Sequence, residues 1–145
     1  MRRMRARKMV EFTVPGIPEG KGRPRVTRNG TYTPSKTREY EKKVRLCWAE
    51  QSREGFGAGV PLQAEITAFF PLPRSLSRKK RSAMDRTKHT KKPDADNLAK
   101  AILDALNGFA YKDDSMVSVL SVKKINTEGA PHVDVLIREV EDLEK

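Results

Sequence analysis

Cysteine is almost missing from this chain: Cys47 is the one thiol in 145 residues, so no disulfide can close within it. Its setting in an apolar helical pattern is that of a buried thiol, and a reducing, cytoplasmic environment is expected. Aromatic residues are sparse at 6%, and Trp48 lies in an apolar helical stripe, the pattern of packing rather than of ligand contact. No apolar run approaches a membrane span, and Met1 to Lys8 lacks the apolar stretch of a signal peptide. No internal repeat is evident. Acids are scarce over most of the chain: residues 1–92 carry 8 Asp and Glu against 24 Lys and Arg, a net +16. Residues 93–145 reverse this with 11 against 6, a net −5. A protein that only coats a polyanion has no need to gather acids, because they repel the phosphates it holds.

The length suits one domain with tails. Residues 1–8 form a basic arm expected to be disordered, either a DNA-contacting segment or an extension ahead of a start at Met4 or Met9. Residues 9–140 form the folded unit, and 141–145 an acidic tail. Val10, Phe12 and Val14 alternate with polar residues and predict a strand, broken by the Gly- and Pro-rich stretch 15–22. Asn29-Gly30 predicts a tight hairpin turn within 23–33, because both residues tolerate positive φ. Pro34-Ser35 opens a helix to about Ser52, with Tyr40, Val44, Cys47 and Trp48 on its core face. A strand follows from about Leu62 to Phe70. Leu98, Ala101, Ile102, Ala105 and Leu106 give a helix closed by Gly108. Val117 to Ile125 predicts a strand buried on much of both faces, and Val133 to Ile137 a last one.

Positive charge gathers in two places. The hairpin region bears Lys21, Arg23, Arg25 and Arg28, a density suited to a flap against a nucleic-acid backbone. The stretch 71–90 holds Arg78, Lys79, Lys80 and Arg81, with Ser75 or Ser77 able to cap a short helix, and runs on into Lys91 and Lys92. A run of this kind leading into an acidic motif reads as a phosphate clamp.

That motif is Pro93-Asp94-Ala95-Asp96-Asn97, with Tyr111-Lys112-Asp113-Asp114 beyond the helix. Pro93 disfavours helix at Lys92, so the chain reaches Asp94 extended, where residues two apart share a side. Only one of Asp94 and Asp96 can cap the helix; the other then sits beside a like charge, a costly arrangement unless a cation lies between. Mg²⁺ takes such oxygen ligands and phosphate oxygens. Lys100, one turn after Asp96, either pairs with it or offsets charge in a phosphoryl transition state. Asp113-Asp114 serves a turn or joins the metal set. The helix climbs about 17 Å and residues 108–114 span at most about 23 Å, so a return to Asp94 requires a nearly straight connection.

The motifs Pro93-Asp94-Ala95-Asp96-Asn97-Leu98, Lys100, Asp104-Ala105-Leu106-Asn107-Gly108 and Tyr111-Lys112-Asp113-Asp114-Ser115, with Pro15-Gly16-Ile17-Pro18 and Gly20-Lys21-Gly22-Arg23-Pro24-Arg25, resemble the RusA family of endodeoxyribonucleases. The resemblance spans Met9 to about Val140. It implies an α+β fold, a single domain with a mixed β-sheet packed against helices, assembled as a homodimer. It further implies a Holliday junction resolvase of prophage type that makes paired nicks in branched DNA in recombination, repair or phage replication. Carried over by position, Asp94, Asp96 and Asp114 hold Mg²⁺, with Mn²⁺ as a possible substitute, and Lys100 is catalytic. Ala95 stands where the family commonly has a larger aliphatic residue. His89 reads as an incidental solvated histidine or a base. The competing readings are a non-catalytic DNA-binding or replication-accessory protein, and a general flap or fork nuclease.

Overall fold

The alternating stretches form the long strands of the computed structural model, which describes residues 7–143. In chain order the elements are β1 (Met9–Pro15), β2 (Arg25–Thr27), β3 (Gly30–Tyr32), α1 (Ser35–Gln51), β4 (Leu62–Pro71), α2 (Arg78–Met84), α3 (Ala95–Ala105), β5 (Val117–Thr127) and β6 (His132–Glu139), with a 3₁₀ turn at Asp114–Met116 before β5. Four strands make a mixed sheet ordered β1-β6-β4-β5, antiparallel except for the parallel pair β4 and β5; β2 and β3 stand apart as a hairpin. The whole is α+β, as the resemblance implied.

Strict period-two burial gives the sheet one apolar face: Val10, Phe12 and Val14 on β1, Leu62, Ala64, Ile66, Ala68 and Phe70 on β4, and Val133, Val135 and Ile137 on β6 are buried. Helices α1 and α3 cover that face, α1 through Tyr40, Val44 and Trp48 and α3 through Leu98, Ala101, Ile102 and Ala105. Trp48 packs edge-on to Phe12 with ring centroids 5.9 Å apart, so it is core as its spacing predicted, whereas Cys47 is half-buried. Truncating Ile102 to Ala would cost about 2–5 kcal/mol and loosen the helix from which the acidic motif projects.

Two expectations change, and one open alternative is settled. The hairpin turns through Arg28 and Asn29, with Thr27 opposite Gly30, and positive φ is confined there to Gly30 at 118°. Strand β5 is not buried on both faces: its first half is largely exposed, because it is an edge strand with β4 as its neighbour on one side alone in the sheet. Finally, Ser77 rather than Ser75 caps α2, accepting from the Lys80 amide at 3.2 Å.

A parallel pair cannot be joined by a hairpin, so the chain between β4 and β5 must cross the molecule. That crossover carries α2, the acidic motif and α3, and thereby holds the expected site beside the sheet.

Candidate active site

Asp94 occupies the N-cap position of α3 with extended backbone (φ −67°, ψ 151°), and its carbonyl accepts from the Leu98 amide at 3.1 Å. Its side chain makes no capping bond. The carboxylates of Asp94 and Asp96 are exposed and, among the described residues, make no hydrogen bond or ion pair. The capping role that would have explained them structurally is therefore not taken up. Asp96 already lies in the first helical turn, so the two-residue alternation of extended chain does not carry across from Asp94. Instead Asp96, Lys100 and Asp104 form a solvent-side ridge at helical spacing, opposite the buried stripe.

The glycine-rich loop after β1 lies against the start of α3 and bounds a groove of about 1020 Å³ lined by Gly20, Lys21, Arg23, Lys92, Asp94 and Asn97, among others. The loop is tied down by bonds from the Lys21 amide to the Asn97 carbonyl (3.0 Å) and from the Gly22 amide to Thr37 Oγ1 (3.1 Å). Any Cβ on Gly20 would stand 2.8 Å from Pro93 Cβ, so this approach needs glycine.

Lys21 is not held out toward a phosphate. Its ammonium lies 2.5 Å from Glu41 and 3.3 Å from Asp104, with only 15% of the side chain exposed. Burial pulls its pKa down, but the hydrogen bonds and charges of Glu41 and then Asp104 outweigh this and leave it raised. Lys100 Nζ lies 3.7 Å from Asp104, so the acid it meets is one turn ahead of it rather than Asp96 one turn behind.

The connection after α3 does not double back straight. Gly108, at φ 79°, donates to the Tyr111 carbonyl at 2.8 Å, and the amides of Phe109 and Ala110 both donate to Leu106 at 3.0 Å. Burial of Ala110 and Tyr111, whose hydroxyl donates to the Leu103 carbonyl at 2.6 Å, folds the segment onto the end of the helix. Asp114 therefore stands near that end, its amide 2.8 Å from Asn107 Oδ1 and its carboxyl within hydrogen-bonding reach of Asp104. Partial burial, then the Asp104 carboxylate, pushes its pKa up. Asp113 is the turn residue of the pair: hydrogen bonding from the Ser115 side chain, and then from the Ser115 amide at 3.1 Å, holds its pKa down.

The acids thus lie along α3, with Asp94 and Asp96 at its start and Asp104 with Asp114 near its end, roughly 12 Å along the axis from Asp96 at ~1.5 Å per residue. Among the described residues no three acidic, histidine or cysteine side chains converge on one ion. The donors nevertheless suit a hard divalent cation: they are carboxylate oxygens, two of them uncommitted and two facing each other as like charges. Sequence reasoning gave Asp104 no role, although its place four residues after Lys100 was the available signal. Asp104 and Asn107 also stand in a motif that carries the family resemblance, which gave neither a role; Glu41 carried no signal.

Of the cations expected to hold a nucleic-acid backbone, Arg23, Arg28, Arg78, Lys79, Lys80, Lys91 and Lys92 are exposed and Arg81 is half-buried, and Arg23 and Lys92 line the groove with Asp94. Arg25 pairs opposite Tyr32 in the hairpin. Asp85 is the one acid in the stretch from Pro71 to Lys92.

An α+β domain whose sheet crossover bears exposed cations and presents acids on a helix ridge is a frame for chemistry on a polyanion. Residues 15–138 match the family of endodeoxyribonuclease RusA, and the chain belongs to that family. It is 37% identical over 139 residues to the uncharacterized protein YqaN of Bacillus subtilis (strain 168), covering 90% of this chain and 96% of that one. It is 32% identical over 105 residues to the crossover junction endodeoxyribonuclease rusA of Lactococcus phage r1t, covering 72% of this chain and 73% of the phage protein.

Proposed function

We propose that this chain is a divalent-metal-dependent, structure-selective endodeoxyribonuclease that resolves Holliday junctions by paired nicks. What carries the reading is the pair of uncommitted carboxylates at the start of α3, Asp94, which lines a groove bordered by Arg23 and Lys92, and Asp96 in the first turn, in a chain of this family. In this reading Asp94 and Asp96 would hold Mg²⁺, or Mn²⁺ in its place, at the start of α3; Asp114, which the family resemblance adds to the set, stands near the other end of the helix and would have to move toward them to share one ion. When bound, the ion activates water and steadies the leaving oxygen. Lys100, 61% exposed, offsets the charge that gathers on the phosphoryl group, and Asp104 holds its ammonium at the ridge. Lys21 takes a different task from the phosphate contact expected of it: it steadies Asp104 from inside the fold. Arg23, Arg25, Arg28, Arg78, Lys79, Lys80, Arg81, Lys91 and Lys92 hold the DNA arms.

Two nicks call for two sites, hence a symmetric homodimer. The unpaired first half of the β5 edge, with Val119 and Leu120 about half exposed, favours such an assembly. The setting is DNA recombination, repair or phage replication in the cytoplasm, a reading favoured by the phage relative. Among the described residues no helix is long and apolar enough to cross a membrane.

Cleavage of a synthetic four-way junction with Mg²⁺ is the test. The wild type should make paired, symmetric nicks, while Asp94→Asn should bind the junction and lose at least about a hundredfold in rate, the scale on which a misplaced reacting group is felt. Equal cutting of flaps, forks and junctions would indicate a general branched-DNA nuclease. Binding by both proteins with cleavage by neither would indicate an accessory DNA-binding protein. Near-normal cleavage by Lys100→Ala would remove that lysine from the chemistry.

A further inference from the structure

The segment after α2 does not run freely to the acidic motif. Residues 86–89 lie along the far end of β5: the Arg86 amide donates to the Asn126 carbonyl, the Asn126 amide to the Thr87 carbonyl and the His89 amide to the Lys124 carbonyl, each at 2.8 Å. Lys88 sits opposite Ile125 as an antiparallel bridge. Arg86 is left-handed there, with φ at 67°, a conformation that costs a side-chain-bearing residue about 1 kcal/mol. The paired backbone beside it holds it so.

Asn126 is 7% exposed and gives its whole amide to this segment. Its Nδ2 donates to Thr87 Oγ1 at 3.0 Å and to the Lys88 carbonyl at 3.4 Å, which turns Oδ1 toward His89 Nδ1 at 2.8 Å. With Oδ1 accepting, the His89 proton belongs on Nδ1. The imidazole lies flat on Phe70, centroids 4.0 Å apart and planes 7° from parallel, and its Nε2 is buried without a partner. His89 is thus neither solvated nor poised as a base. Beyond it Thr90, Lys91 and Lys92 are exposed, with one hydrogen bond among the described residues, from Lys124 Nζ to the Lys91 carbonyl at 2.5 Å, before the chain reaches Asp94.

We propose that His89 and Asn126 are positioning residues: their hydrogen bond latches the crossover to β5, and so fixes where Asp94 meets the groove. The inference rests on the nuclease reading above. The physical reason is leverage. A carboxylate that must meet an ion and a phosphate tolerates little displacement, and a shift of about 1 Å can cost about a hundredfold in rate. The last firm anchor before an exposed tripeptide sets that displacement.

Two substitutions separate the hydrogen bond from the stack. His89→Phe keeps a flat ring on Phe70 and loses the Nδ1 donor. His89→Asn loses the ring and keeps a donor at the same reach, since the Asn Nδ2 stands two bonds from Cβ as Nδ1 does. For each full-length protein, Mn²⁺ affinity without DNA is measured by calorimetry, junction affinity in Ca²⁺ and single-turnover cleavage in Mg²⁺. His89→Phe should weaken Mn²⁺ binding and slow cleavage by about tenfold each, with junction affinity unchanged. His89→Asn should recover most of both. Should His89→Phe unfold at the assay temperature, Asn126→Leu replaces it, because a side chain of similar size removes the Oδ1 acceptor from His89; a loss of about threefold in Mn²⁺ affinity is then expected, and wild-type affinity would sink the latch. A wild type that neither binds Mn²⁺ nor cuts sinks the nuclease reading and the latch with it. A wild type that does both, with His89→Phe as its equal or His89→Asn as impaired as His89→Phe, sinks the latch alone.

Discussion

Asp104 shows how one carboxylate can organise a site without facing the groove. It meets Lys21, Lys100 and Asp114, so two cations and one like charge share it. Asp114 has the unfavourable side of that arrangement: its folded pKa is raised, so its stability contribution is complete below the ordinary carboxylate range and is lost as pH rises through the folded value. In EDTA at pH 7, Asp114→Asn should therefore be more stable than wild type by about 0.5 kcal/mol, read as a higher melting point, with the gap closing near pH 3. An unchanged or lower melting point at pH 7 would mean that the charge is already compensated. Lys21 follows the same linkage, but its window lies in the alkaline range, so at neutral pH its charge stabilises the fold. Its raised pKa contributes stability that is full below the unfolded value and disappears only as pH climbs through the folded one. Lys21→Met leaves Glu41, 14% exposed, without its closest cation, and should cost about 2 kcal/mol in denaturant unfolding at neutral pH. Loss of junction affinity with stability intact would instead make Lys21 a phosphate contact.

At the scale of elements, the sheet and the two long helices were legible because their apolar periods, two and 3.6, persist over many residues. What was not legible came from contacts distant in sequence. Nothing local to Phe109-Ala110-Tyr111 tells whether it extends or curls; the Leu103 and Leu106 carbonyls at the helix end decide it. The exposed half of β5 follows from its being the last strand of the sheet, a property of strand order rather than of the run of valines. Likewise His89 looked incidental because its partners, Phe70 and Asn126, lie on two other strands. The nature of Gly20 was hidden for the same reason: its need is set by Pro93 across the groove. Gly20→Ala should push the loop off the start of α3 and lower the cleavage rate by about tenfold, while the melting point falls little, because the loop buries little of the core. Wild-type cleavage by Gly20→Ala would show that the loop can yield without moving Asp94.

For the molecule as a whole, the segregation of charge is the property to test. The fold leaves Arg78, Lys79 and Lys80 on α2 and Lys91 before α3 exposed, and it brings Arg23 and Lys92 to the groove that Asp94 lines, so part of the positive half of the sequence meets the acidic motif. Counterion release then governs affinity: each phosphate neutralised adds roughly 0.9 to the slope of log K against log salt on duplex DNA. Contact with about six phosphates predicts a fall of about a thousandfold in junction affinity between about 50 and 200 mM salt. Lys79→Ala with Lys80→Ala should reduce the slope by about two and weaken junction and duplex DNA alike, since phosphate contacts carry no sequence information. Asp94→Asn should leave the slope unchanged or steepen it, because an acid removed from the groove no longer repels the backbone. Fluorescence anisotropy of a labelled junction across a salt series, in Ca²⁺ to block cutting, measures all three proteins. A slope near zero for wild type would remove these cations from DNA binding and leave the acidic motif without the partner they imply.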